Sequence, residues 1–90
     1  MSEPYDLVVA APAARAITDE LPEAVAHAVI DLITGPLLHD PYRVGRELRH
    51  ELRGVYAARR GTYRVLYRID DDRRAVTAIR IDHRRDIYRS

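Results

Sequence analysis

The sequence contains neither cysteine nor lysine, and all fifteen of its basic residues are arginine. Without cysteine, disulfide bonds and thiolate metal sites are excluded. No apolar run reaches the roughly 20 residues that a membrane-spanning helix requires, and no long apolar stretch follows a basic start, as it would in a signal peptide. We therefore expect a soluble, cytoplasmic protein that has no contact with a membrane.

Several kinds of catalytic or cofactor site are also missing. The residues His27, His39 and His50 do not have the spacing of metal ligands. There is no glycine-rich nucleotide-binding loop, no nucleophile elbow, no internal repeat and no low-complexity tract. A length of 90 residues suits one modest hydrophobic core. The sequence therefore predicts a single domain, residues 1–90, without a metal or other cofactor.

The net charge of +1 conceals a strong asymmetry along the chain. Residues 1–42 carry one arginine against seven acidic residues, a net charge of −6, whereas residues 43–90 carry fourteen against seven, a net charge of +7. A basic half of this kind is typical of proteins that bind a polyanion. The exclusive use of arginine fits bidentate phosphate recognition, but codon bias in a GC-rich genome explains it equally well.

The periodicity of apolar residues and the positions of proline and glycine predict an α+β fold. The predicted elements, in chain order, are a strand over residues 5–10, a short helix over 12–20, an amphipathic helix over 21–35, an ordered loop over 36–54, and three strands over 55–60, 63–69 and 75–83. The last three strands form an antiparallel meander. We expect two helices to cover one face of this mostly antiparallel sheet.

The turns set the register of the meander. A two-residue turn at Gly61-Thr62 places Arg59 opposite Arg64. A turn over residues 70–74 would place Arg64 opposite Arg80, which predicts a row of three arginines across the strands, on the same face as Arg68. The other face would carry apolar side chains and pack against the helices: Tyr63, Val65, Tyr67, Ile69, Thr77, Ile79 and Ile81.

A row of like charges on neighbouring strands is destabilising unless a ligand compensates it. A bound phosphate would do so, because it replaces mutual repulsion with charge-assisted hydrogen bonds. A solvated face is an equally open interpretation, in which the arginine stems cover Leu66, Val76 and Ala78 while the charged groups stay in water. A slip of one residue in either hairpin would also scatter the row.

Residues 46–88 resemble the RelE family of toxins, in the RelE/ParE superfamily. The motifs that carry this resemblance are Leu52-Arg53-Gly54, Tyr63-Arg64-Val65-Leu66-Tyr67, and the terminal basic pair followed by Asp86-Ile87-Tyr88. The resemblance implies a ribosome-dependent endoribonuclease that cleaves mRNA in the A site. In that reaction the ribose 2′-OH attacks the adjacent phosphate and leaves a 2′,3′-cyclic phosphate, without a metal.

The resemblance also implies site residues. It assigns the scissile phosphate to Arg64 and matches Arg59 to a catalytic basic residue on the preceding strand. It assigns the leaving group to Arg84, with Arg85 as a register alternative, and the general base or an orienting role to Tyr88. Further RNA-binding candidates are Arg46, Arg53, Arg68, Arg80 and His83. For His83 the alternative is a local hydrogen bond at the end of a strand, with no role in function. A second basic residue that some family members carry two positions before Arg59 is here Ala57. Reduced activity, a different codon preference, or compensation by Arg43, Arg46 or Arg53 are all open.

Two other functions remain open at this point. A ParE-like protein would bind and poison DNA gyrase without cutting RNA, and a degenerate member would only bind an antitoxin. The resemblance implies a small cognate antitoxin as the partner in each case, with a heterotetramer or larger assembly as one arrangement, and the translating ribosome as a second partner of the nuclease.

Overall fold

The predicted order of strand, helices and meander is confirmed by a computed structural model, which describes residues 3–83. In chain order the elements are β1 (Asp6–Val9), α1 (Ala11–Arg15) continued by a π-helical turn (Ala16–Glu20), α2 (Glu23–Thr34), α3 (Pro36–His39), α4 (Pro41–Val44), β2 (Arg46–Glu47), a 3-10 turn (His50–Leu52), β3 (Tyr56–Arg60), β4 (Tyr63–Asp70) and β5 (Ala75–His83). The α+β class predicted from the sequence is correct.

The strands form one five-stranded sheet in the order β1-β5-β4-β3-β2. The meander β3-β4-β5 and the short edge strand β2 pair antiparallel. Strand β1 instead pairs parallel with β5, because the helical segment after β1 carries the chain back across the sheet before the meander begins. The segment expected to be a loop, residues 36–54, contains two short helices, β2 and a 3-10 turn.

The helices cover one face of the sheet, as the amphipathic pattern of α2 predicts. Helix α2 follows Pro22 and ends at Gly35, which are favoured flanking residues for a helix start and stop. Its buried side chains are those of Ala26, Val29, Leu32 and Ile33. The apolar spacing in the sequence also predicts Ala28 on this buried side, with Val29, Leu32 and Ile33. Ala28 is exposed, however, and Ala26 is buried in its place.

The register of the second hairpin differs from the predicted one, because its turn is shorter and β5 contains a bulge. Asp70 pairs with Ala75, so the turn is one residue shorter than expected, and the pairing then shifts at Ile79, between Tyr67 opposite Ala78 and Leu66 opposite Arg80. A bulge places two residues of one strand opposite one of its partner and reverses which face the following side chains occupy. The shorter turn reverses the faces of residues 75–78, so the alternation predicted for β5 is wrong over its first half, and the bulge restores the predicted faces from Arg80 onward.

The side chains of β5 that are buried in the core therefore differ from those predicted. Val76 and Ala78, which the sequence placed under the arginines, are fully buried in the core against the helices. Thr77 lies opposite Arg68 instead. Tyr67 and Val65 are fully buried from β4, as predicted, and Ile81 is on the expected face. Within residues 3–83, no helix is long and apolar enough to cross a membrane.

Asp71, in the turn between β4 and β5, ties three separate parts of the chain together. Its carboxylate accepts a hydrogen bond from the hydroxyl of Tyr5 at 2.6 Å and another from the hydroxyl of Tyr42 in α4. The guanidinium of Arg74 lies 4.4 Å from the centre of the Tyr5 ring. These hydroxyl groups, Tyr42 first and then Tyr5, hold the pKa of the Asp71 carboxyl below its ordinary value.

This lowered pKa predicts a pH-dependent contribution to stability. Because the folded state favours the carboxylate, the contribution is complete above the unfolded pKa of about 3.9 and is lost as the pH falls through the lower folded pKa. We expect Asp71→Asn to lower the midpoint of urea unfolding near neutral pH. The difference in midpoint between wild type and variant should become smaller as the pH falls below about 4. The neighbouring exposed Asp72 is the matched control, since Asp72→Asn should differ little from wild type in its urea midpoint at every pH. If the difference in midpoint for Asp71→Asn stayed constant at acidic pH, the stabilising role of the Asp71 carboxylate would be contradicted.

Candidate functional site

The face of the sheet away from the helices carries arginines from several strands. Arg59 lies directly opposite Arg64, as the hairpin at Gly61-Thr62 predicts. The residue opposite Arg64 on β5 is Asp82, however, and not Arg80. The predicted row of three arginines is therefore wrong, because the shorter turn and the bulge together place Arg80 opposite Leu66. Leu66 is only 6% exposed although it is on the face away from the helices, as expected where arginine stems lie along a sheet.

Asp82 joins the two arginines that flank it. Its Oδ2 accepts a hydrogen bond from Nε of Arg64 at 3.0 Å, and its Oδ1 lies 3.0 Å from Nε of Arg80. Terminal nitrogen Nη2 of Arg80 also donates to Oδ2, at 3.2 Å. The side chain of Asp82 is 17% exposed and that of Arg64 is 29% exposed, so water screens this pair less than a pair at the surface.

The geometry leaves part of Arg64 available for a ligand. Arg64 uses Nε for Asp82, and over residues 3–83 its two terminal nitrogens have no recorded hydrogen bond to protein. A guanidinium fixed at Nε presents its terminal nitrogens as a planar fork that matches a phosphate. Sequence reasoning missed Asp82; its signal was an acidic residue within a basic face, but only the bulge brings it beside Arg64.

A concave pocket of about 450 Å³ lies next to Arg59 and Arg64. It forms at the sheet edge, where β3 continues past the end of β2. Its lining combines small, apolar and arginine side chains: Val44, Gly45, Arg46, Leu48, Ala57, Arg59, Arg60 and Arg64. The arrangement can receive an anionic ligand that also has an apolar or planar part.

The remaining candidates are distributed around this site. Arg46 lines the pocket. Arg68 is on the arginine face but four residues along β4 from Arg64, about 13 Å away, and its terminal nitrogen approaches Gly54, next to Arg53. His83 pairs with Tyr63, so it is on the helix-facing side of β5.

Three other candidates, Arg84, Arg85 and Tyr88, lie outside the described residues. Between residues 3 and 83, no group of three or more histidine, aspartate or glutamate side chains has the geometry to hold a metal ion.

The described tyrosines are poorly suited to act as a base. Burial raises the pKa of Tyr67 to about 12 and also raises the pKa values of Tyr56 and Tyr63. The hydrogen bond to Asp71 raises the pKa of Tyr42 to about 12, and the same partner raises that of Tyr5. All five hydroxyls thus hold their protons more tightly than a free tyrosine does.

Comparison with known proteins identifies the class. A family model described as the ParE toxin of the type II toxin-antitoxin system parDE matches residues 8–88. The toxin RelG of Mycobacterium tuberculosis is 51% identical over 76 residues, which cover 84% of this chain and 87% of that protein. The toxin RelE of the same organism is 45% identical over 86 residues, covering 96% of this chain and 88% of that protein.

Solved structures agree with these sequence matches. In the crystal structure of the toxin-antitoxin complex RelBE2 from M. tuberculosis, one chain matches with a TM-score of 0.87 and 45% identity, covering 91% of this chain and all of that one. The isolated E. coli toxin RelE matches with a TM-score of 0.72 at 20% identity, covering 88% of this chain and 83% of that one, which shows a shared fold.

Fold, sequence matches and family model together define a toxin of a type II toxin-antitoxin system. Within that class, the chain belongs to the RelE toxin family.

Proposed function

We propose that this toxin is a ribosome-dependent endoribonuclease that cuts mRNA in the A site and thereby stops translation. The ribose 2′-OH attacks the phosphorus of its own 3′-phosphate, the bond to the 5′-oxygen of the next nucleotide breaks, and a 2′,3′-cyclic phosphate remains. The attacking hydroxyl loses a proton and the departing oxygen gains one. No metal ion is required for these steps.

The observation that carries this proposal is that Arg59 and Arg64 lie opposite each other on adjacent strands and line one pocket, with Arg64 held at Nε by Asp82. The pentacoordinate phosphorus of the transition state gathers negative charge on its equatorial oxygens. Guanidinium groups fixed in advance stabilise that charge more than they stabilise the ground state. Arg84, with Arg85 as its register alternative, is proposed to neutralise the leaving oxygen.

Tyr88 is proposed as the general base or as the group that orients the attacking hydroxyl. A free tyrosine, with a pKa of about 10, is a poor base near neutral pH, but nearby cations favour its phenolate. The described tyrosines, by contrast, have raised pKa values. His83, the second candidate for proton transfer, pairs with Tyr63 and so lies on the face of β5 opposite to Arg64.

The proposed partners are the ribosome carrying mRNA in its A site and a cognate antitoxin. The antitoxin proposal is supported by solved relatives that are toxin-antitoxin complexes from M. tuberculosis and E. coli. An acidic antitoxin segment would complement the arginine face. The proposed location is the cytoplasm, where both partners would be met.

The alternative function is a ParE-like toxin that poisons DNA gyrase without cutting RNA. The ParE description of the matching family model favours it. Primer extension on mRNA from translating ribosomes treated with the purified toxin distinguishes the two. Cuts confined to A-site codons, with 2′,3′-cyclic phosphate ends, are expected for the nuclease. Growth arrest with linearised chromosomal DNA and no such cuts would favour gyrase.

We expect Asp82 to position Arg64, so its loss should weaken catalysis while strengthening the binding of RNA. Asp82→Ala removes the acceptor that fixes Nε of Arg64, so we expect the cleavage rate at saturating toxin to fall about tenfold or more. The same change removes a negative charge beside the phosphate, so half-maximal cleavage should need less toxin. Asp82→Asn, which keeps one acceptor oxygen, should be intermediate.

Single-turnover cleavage of mRNA on programmed ribosomes, over a range of toxin concentrations, measures both quantities. Thermal unfolding of the same variants reports any loss of fold. A folded Asp82→Ala variant with the wild-type maximal rate would show that Asp82 does not position the arginine.

A further inference from the structure

The contacts of Asp82 give the two sides of Arg64 different charge. Toward β5, one carboxylate serves both Arg64 and Arg80, so a negative charge already occupies the space between them. An RNA phosphate approaching from that side would be repelled by the carboxylate. On the other side of Arg64 is Arg59, and beyond it the open pocket at the sheet edge. An anionic ligand is therefore favoured on the β3 side of Arg64.

Arg46, on β2, is the next cation of the arginine face in that direction. Arg60 also lines the pocket, but it pairs with Tyr63 and belongs to the opposite face of β3. Arg46 pairs with Ala57 across β2 and β3, so both side chains are on one face of the sheet. Ala57 in turn pairs with Leu66, which places both on the arginine face. A methyl group at position 57 leaves the space open, and Arg46, Ala57, Arg59 and Arg64 all line the same pocket.

The spacing of the strands separates Arg46 from Arg64. Arg46 is on β2 and Arg64 is on β4, two strand spacings away, or about 10 Å between backbones. Arg59 and Arg64 lie directly opposite each other on adjacent strands. A nucleic-acid strand crossing the pocket would carry more than one phosphate past this surface, so a group bound near Arg46 would be distinct from the one held between Arg59 and Arg64.

We propose that Arg46 forms a second phosphate subsite, which binds a backbone phosphate of the same RNA strand next to the one held by Arg59 and Arg64. The cations that hold the RNA are then Arg46, Arg59 and Arg64, and Arg80 serves Asp82 instead. Ala57 contributes by leaving room. This inference rests on the proposed ribonuclease function, because it places the strand that the enzyme would cut.

The test pairs a change in the RNA with a change in the protein. mRNAs in which one phosphate at a time is an uncharged methylphosphonate are placed on ribosomes, and cleavage by the wild type and by Arg46→Ala is compared. At one phosphate adjacent to the scissile one, neutralisation should raise the toxin concentration for half-maximal cleavage about tenfold for the wild type, as loss of one charged hydrogen bond would. For Arg46→Ala it should have no further effect.

Two protein variants sharpen this test. Arg15→Ala removes the same charge from α1, on the helical side of the sheet, and should leave the full tenfold effect of the neutral phosphate. Arg46→Ala combined with Ala57→Arg should restore the sensitivity, because position 57 lies opposite position 46 on the same face. Ala57→Lys provides a second form of this rescue, and thermal unfolding shows which double variant is folded.

The outcomes separate the subsite from the function. Equal sensitivity of wild type and Arg46→Ala at every phosphate would overturn the subsite while leaving the ribonuclease intact. Failure of both folded rescue variants would also overturn it. Absence of any cleavage by the wild-type toxin would overturn the proposed function, and the subsite with it.

Discussion

Arg64→Ala should lower the rate of A-site cleavage by about 100- to 1,000-fold, the effect expected when one preorganised donor to a developing negative charge is removed. Arg64 combines a terminal fork with an Nε held 3.0 Å from Asp82, so its position costs no reorganisation during the reaction. Arg64→Lys should recover only part of the rate, because an ammonium group cannot donate to Asp82 and also present a planar fork. Single-turnover cleavage on programmed ribosomes measures both variants.

The fold should survive this substitution. Asp82 keeps its contacts with Arg80 when Arg64 is removed, so no carboxylate is left without a partner. Arg15→Ala, which removes an arginine on the opposite side of the sheet, is the matched control and should cleave at the wild-type rate. A folded Arg64→Ala variant that keeps a third or more of the wild-type rate would exclude a direct role for this guanidinium, whatever the role of Tyr88.

Gly45→Ala is expected to have the largest effect on stability. A Cβ atom at this position would lie 2.5 Å from the hydroxyl of Tyr67 and 2.7 Å from the carbonyl oxygen of Ala57. The first contact involves the fully buried Tyr67, whose hydroxyl donates to the carbonyl of Pro41 at 2.5 Å. The second involves the backbone of β3, which cannot rotate away. The chain at Gly45, with φ of −128°, needs glycine for space and not for its conformation.

The expected cost of this substitution is about 2 kcal/mol or more, at the upper part of the range for overpacking. For a domain of this size that corresponds to a fall in Tm of about 10 °C. Gly61→Asn is the control, because Gly61 has φ of +55° with nothing within 4 Å of a Cβ, and asparagine tolerates that conformation. Calorimetry should show a small change at position 61 and a large one at position 45.

A second measurement connects the effect to its cause. Tyr67→Phe removes the hydroxyl that a Cβ at position 45 would contact, so Gly45→Ala should cost less in that background than in the wild type. Additive costs would mean that the hydroxyl does not resist the new methyl group. Because Gly45 and Ala57 both line the pocket beside Arg59, loss of this close approach should also impair RNA cleavage.

Local signals in the sequence were sufficient for the first hairpin and the main helix. Gly61-Thr62 specifies a two-residue turn, and such a turn sets the pairing of Arg59 with Arg64 through backbone twist alone. Pro22, the apolar spacing and Gly35 specify α2 in the same local way. The resemblance to RelE toxins, carried by motifs within residues 46–88, correctly indicated the family and the α+β fold.

The second hairpin could not be predicted in this way. Its turn was expected over residues 70–74, but Asp70 pairs with Ala75, and an extra residue at Ile79 then shifts the rest of β5. A bulge is set by how a strand fits the sheet and the core on both sides, here with Val76 and Ala78 filling the space beneath the helices. No local pattern marks it.

The sequence by itself determined the family, the layer of helices, the arginine-rich half and the facing pair Arg59 and Arg64, because periodicity, turn chemistry and motifs act over short stretches of chain. The tertiary structure alone decided that Asp82, and not Arg80, lies beside Arg64, and that Arg46 faces Ala57 across the sheet edge. These pairings join residues that are distant along the chain. They depend on the register between strands, which the packing of the whole domain selects.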